Sequence, residues 1–219
     1  MHATRALVQT MAVLLLVGTI LLGAGAVAHP MLPADPMAQL GVMAATPYWR
    51  AIHELMIAGS GLVIAGIWVR VYIDRSRLTV PLVLALATVA IGLAFNAWNV
   101  EFMAGTGTAD ATRFAAGDTS VIPSFATSHT AALSAARLGN TLVVVGCLVL
   151  GWIEWRDPDR PVWIAGLAWL SSVCGIIGVT AFDSGSREAL AAVALVSLWA
   201  AATAVLVIRS GGQAGTPAR

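Results

Sequence analysis

Apolar residues along this chain gather into six long runs, at residues 11–28, 52–72, 80–100, 138–155, 162–182 and 189–208, with polar residues held to the intervals between them. A helix needs about 20 predominantly apolar residues to cross a hydrocarbon core of about 30 Å. The pattern therefore predicts an all-α integral membrane protein of six transmembrane helices. The intervals 74–79 and 157–161 are short and turn-like, so the runs they join are expected to be antiparallel hairpins. Residues 1–210 read as a single transmembrane domain, and residues 211–219 as a disordered tail.

The first run also fits a different element. Arg5, the apolar stretch and Ala26–Val27–Ala28 together match a secretory signal peptide with a small-residue cleavage site before His29. Cleavage would leave five helices. The run is long for a signal, which favours its retention as a span.

Composition supports a lipid environment. Of 219 residues, 58% are hydrophobic and 11% are charged, and the mean hydropathy is +0.84, which excludes an ordinary soluble domain. The formal charge is +1, with no basic run or stripe, so no nucleic-acid partner is expected. All cations are arginine, which together with the Ala/Gly richness points to a bacterial gene. Cys147 and Cys174 fall inside spans and read as small packing residues.

The arginines set an orientation. Arg5, Arg70, Arg75, Arg77, Arg156, Arg160, Arg209 and Arg219 all fall on one side of a six-span chain. The positive-inside rule makes that side the cytoplasm, with both termini in it and segments 31–50, 105–127 and 183–187 facing outward. Trp68, Tyr72, Trp152, Trp155 and Trp163 are expected at the inner boundary, and Tyr48, Trp49 and Trp98 at the outer one. The outer segments carry Pro and Gly punctuation and are expected to be irregular. Small residues suggest close helix approach at Gly61 and Ala65, and at Ser171, Gly175 and Gly178. A faint internal likeness relates His53, Gly66, Trp68, Asp74 and Arg75 to His129, Gly151, Trp152, Asp159 and Arg160.

Ionisable and amide groups gather toward the outer ends, and such groups in a membrane protein are functional candidates. The polar cluster comprises Glu54, Asn96, Asn99, Glu101, Arg137 and Asp183, with His53 and His129 opening two different spans. Arg137 either snorkels to the headgroups or pairs with Glu54, Glu101 or Asp183. Three of four histidines and five of seven methionines fall at this face.

Imidazole and thioether ligands suit copper, and the metal candidates are His29, His53, His129, Met56 and Met103. Alternatively, His53 and His129 could supply paired axial nitrogens to a haem b. No phosphate loop, zinc-protease helix or nucleophile elbow appears, so a non-enzymatic binding or accessory role is favoured over catalysis. The expected surroundings are the lipid bilayer of a bacterial plasma membrane and other membrane-protein subunits. A haem- or copper-binding redox protein and a small-solute transporter are the alternatives.

Overall fold

The computed structural model describes residues 5–73, 78–181 and 187–213, and among these the chain is helical with no strand. Its helices are α1 (Arg5–Ala28), α2 (Pro36–Ala44), α3 (Trp49–Ile73), α4 (Val80–Phe102), α5 (Thr108–Ala115), α6 (Val121–Arg156), α7 (Val162–Ala181) and α8 (Arg187–Gln213). Five stretches are long and apolar enough to cross a membrane: Ala6–Ala28, Trp49–Ile73, Val80–Ala115, Val121–Arg156 and Val162–Thr180. The apolar part of α8, Ala191–Leu206, is shorter. The chain is thus a multi-pass membrane-helical bundle.

Segment 105–127, expected to be irregular, is largely helical. α4 passes through a π-helical turn, Met103–Gly107, directly into α5, and α6 begins at Val121, well before the expected residue 138. The apolar-run criterion stops where Ser, Thr and Ala replace the larger residues. Helical spacing nevertheless persists there, with Ala132, Ala135 and Ala136 buried at three- and four-residue intervals. Likewise α8 continues to Gln213, three residues into the segment expected to be a disordered tail.

The six long helices form a closed ring in which each packs on the next, α1 on α3, α3 on α4, α4 on α6, α6 on α7, α7 on α8, and α8 back on α1. Hydroxyls bridge several of these contacts. Thr19 donates to the Ser197 carbonyl at 2.8 Å, Ser171 to that of Ala192 at 2.7 Å, and Ser172 to that of Val144 at 3.1 Å. Large apolar side chains such as Ile20, Leu84, Ile91, Val145 and Val173 face outward around the ring, as a lipid-facing surface requires. Trp68, Tyr72, Trp152, Trp155 and Trp163 are exposed at one end, and Tyr48 and Trp98 at the other. Trp49 is the exception to the aromatic belts: it is buried.

The first six helices form two copies of one unit, long–short–long, as α1–α2–α3 and α4–α5–α6. A Cβ added at Gly18 would meet the Gly59 carbonyl and Val63, and one added at Gly92 would meet the Gly139 carbonyl and Val143. One further step along each pair, Gly66 faces Leu15 and Gly146 faces Val89. The registers coincide at every step: Val63 and Gly66 follow Gly59 as Val143 and Gly146 follow Gly139. Glycine lets the paired backbones approach closely where van der Waals packing replaces a hydrophobic drive.

The glycine contacts thus relate the two halves through residues other than those of the likeness expected from the sequence. Trp49 and His129 each stand ten residues before their glycine, so the counterpart of His129 is Trp49 and not His53. Gly61, expected at a close approach, has open space beside it, and Gly59 and Gly66 make the contacts instead.

Candidate functional site

The two short helices cap one end of the ring. Asp35 caps α2 by accepting from the Ala38 amide at 2.8 Å, with Pro36 in the first turn. α2 packs on α5, and Leu40, Met43, Trp49, Met103, Ala111, Val121 and Phe125 form a buried core under them. The turn from α5 into α6 uses Gly117 at φ +92°, a left-handed conformation that glycine adopts without steric cost. Asp118 follows, held below the usual carboxylate range by the Ser120 hydroxyl and then by Arg113.

Each half of the molecule reaches into the cap of the other. Trp49, from the first half, donates its indole N–H to the Met103 carbonyl at 3.1 Å, inside the π-helical turn of the second half. His129, from the second half, lies with Nδ1 2.9 Å from Oε1 of Gln39 on α2. Gln39 Nε2 donates to the Pro33 carbonyl at 2.8 Å, which fixes the amide so that Oε1 accepts and His129 Nδ1 carries the proton. His129 stacks on Phe102 with ring centroids 5.9 Å apart and packs against Phe125 at 5.2 Å.

His53 lies in a different setting. It is 2% exposed, and its ring centroid is 4.4 Å from that of Trp49 and 5.0 Å from that of His29. His53 Nδ1 is 2.7 Å from the Trp49 carbonyl. A carbonyl only accepts, so Nδ1 carries the proton and Nε2 presents a lone pair. His29 follows the end of α1 and is partly buried. Burial lowers its imidazole below the ordinary value, while the Pro30 carbonyl works the other way.

One turn along α3 from His53, Met56 fills the space that a side chain at Gly25 would need. Beside His29, a cleft of about 560 Å³ opens between Gly23, Ala26 and Met31 on one wall and Ala191 and Ala194 of α8 on the other.

The metal candidates thus divide. His29, His53 and Met56 share the α1–α3 junction. His129 belongs to the Gln39–Phe102–Phe125 group, and Met103 is buried in the cap core with its carbonyl bound to Trp49 and to the Thr108 hydroxyl at 3.0 Å. His53 and His129 accordingly sit in two separate aromatic groups. Among the described residues no three His, Cys, Asp or Glu side chains come together.

The remaining polar residues have several settings. Glu54 is exposed and pairs with Arg50 at 2.6 Å, and Glu101 and Arg137 are both exposed. Asn96 bonds back to the Gly92 carbonyl at 3.2 Å and lies over Gly139. Asn99 is half-buried, and its Oδ1, like Asn140 Nδ2, finds no hydrogen-bond partner among the described residues. Asp183 lies outside the described residues.

Two features escaped the sequence reading. Gln39 is a lone amide in a loop segment, and only the cap gives it a partner. At the opposite end of the ring, Arg70 of α3 and Glu154 of α6 meet at 2.8 Å with side chains 5% and 3% exposed. Arg160 approaches the same carboxylate at 3.5 Å, and Arg70 lies 5.2 Å from the ring centroid of Trp199 on α8. Their positions beside a short turn made both charges look like ordinary boundary residues. Comparisons with protein-family models, curated proteins and solved structures found no match for this chain.

Proposed function

We propose that this protein is a non-enzymatic binding component of a bacterial plasma membrane, crossing it six times with both termini inside and the α2–α5 cap outside. Its ligand site is the junction of His29, His53 and Met56, reached through the cleft beside α8. The observation that carries this reading is the pairing of a buried imidazole, His53, with a second imidazole, His29, at the wall of an open cleft. Ionisable side chains in a membrane bundle are retained where they line a pathway or site. The orientation rests on the arginine distribution.

Impermeant-thiol labelling tests the reading. In a background with Cys147 and Cys174 replaced by alanine, Met31→Cys at the cleft should react with an impermeant maleimide in intact cells, and Asp159→Cys at the far turn only after the membrane is opened. The reverse pattern would invert the topology and turn the site inward.

A further inference from the structure

We infer that His29, His53 and Met56 form a binding site for a soft monovalent metal ion, Cu(I). This rests on the outward-facing site proposed above and assigns its ligand class.

The two rings are spaced for a shared metal. With a metal–nitrogen distance of about 2.0 Å, each ring centroid lies roughly 3.2 Å from the ion, and the observed 5.0 Å between centroids then corresponds to a nitrogen–metal–nitrogen angle of roughly 105°. That is close to two corners of a tetrahedron. The rings meet edge-on with 69° between their planes, so they approach a shared ion from different directions and do not stack face to face.

Ligand orientation is set in advance. The Trp49 carbonyl holds the proton on His53 Nδ1, leaving Nε2 to bind. A ligating histidine whose other nitrogen donates to a backbone carbonyl is the usual supporting arrangement. Trp49 is itself held by the Met103 carbonyl, so the cap fixes the support from behind.

The third donor decides the ion. Met56 is three residues from His53 on one face of α3, and helical side chains lean toward the N-terminus, which is the His53 side. Gly25, four residues before His29 on α1, provides the space: the position of its absent Cβ is 3.3 Å from Met56 Sδ. No carboxylate or thiolate joins the two imidazoles among the described residues. Two neutral imidazoles and a thioether are a soft, uncharged donor set, which favours Cu(I) over Zn²⁺. His29 lines the cleft while His53 and Met56 lie buried behind it, so an ion would enter from the His29 side.

Competition of the detergent-purified full chain against a chromogenic Cu(I) chelator, with ascorbate present, tests the inference. One equivalent of Cu(I) should bind. His53→Ala and His29→Gln should each weaken binding by on the order of 100-fold, and Met56→Leu by on the order of 10-fold. His129→Ala should leave it unchanged. Copper-edge absorption should report a sulfur neighbour that Met56→Leu removes. His29→Gln lies beyond the end of α1, so it keeps the test open if His53→Ala fails to fold.

Full Cu(I) binding in His29→Gln, or no binding by the unaltered chain, overturns the inference. Equal retention of Zn²⁺ by the same residues overturns the soft-metal assignment. Absent Cu(I) binding with Met31→Cys still labelled from outside removes the metal and leaves the outward-facing site. Cu(I) binding with Met31→Cys reachable only from inside keeps the metal and removes the orientation.

Discussion

Arg70 and Glu154 meet at 2.8 Å in the interior of the ring, joining the last turn of α3 to the last turn of α6. Glu154 also receives Arg160, so one buried carboxylate faces two guanidinium groups from different elements. Removing one partner of a buried pair leaves a charge without compensation and typically costs about 3–5 kcal/mol. Glu154→Gln should therefore lower the thermal midpoint by on the order of 10 °C. Arg137→Ala, at an exposed position, should leave it within about 2 °C. Differential scanning fluorimetry of the two purified variants measures both.

The glycine contacts predict a matched series. A Cβ at Gly92 or Gly139 would lie 2.6 Å from the carbonyl oxygen of the facing glycine, and one at Gly18 would lie 2.9 Å from that of Gly59. Backbone cannot step aside as a side chain does, so Gly92→Ala, Gly139→Ala, Gly18→Ala and Gly59→Ala should each cost about 1–3 kcal/mol. Gly61→Ala meets nothing within 4 Å and removes a helix-interior glycine. It should raise stability by up to about 1 kcal/mol. Thermal midpoints should fall into these two groups.

The cap bond between His129 and Gln39 predicts a local effect. Gln39→Leu removes the amide that joins the His129 imidazole to the Pro33 carbonyl, and should cost about 1–3 kcal/mol. Hydrogen exchange should quicken in residues 36–44 and 108–125 and stay unchanged in α7. The double substitution Gln39→Leu with His129→Leu should recover part of the loss, because both partners are then apolar.

Acid should weaken the fold through His29. Its imidazole is held below the ordinary 6.5 by burial, so just below that value the unfolded chain binds more protons than the folded one. Stability is then complete above pH 6.5 and falls as the pH drops toward the folded-state pKa. The thermal midpoint should decrease between pH 7.5 and 5.5, and His29→Gln should flatten that decrease.

The spanning helices are legible in the sequence because lipid imposes length and apolarity on each of them. Six runs of apolar residues coincide with the cores of α1, α3, α4, α6, α7 and α8. The N-terminal extension of α6 is not legible by that criterion, because residues 126–137 bury Ala132, Ala135 and Ala136 and leave serines and threonines outside, which lowers hydropathy without ending the helix.

His53 and His29 could be flagged by residue type, but their pairing depends on α1 packing against α3. Nothing local to residue 29 or 53 encodes that contact. The two histidines are not equivalent positions of the two halves, whose matching contacts are carried by Gly18, Gly59, Gly92 and Gly139. Trp49 looked like an interface anchor because a tryptophan at a span boundary carries no local mark of facing inward.

The crossed bonds of the cap impose an order on biogenesis. When α3 has been inserted, the Trp49 indole has no Met103 carbonyl to meet and Gln39 has no imidazole. Neither bond can form until the ribosome has supplied residues 103 and 129. The cap of the first half is therefore completed only by residues of the second, so its bonding depends on both halves being present in register.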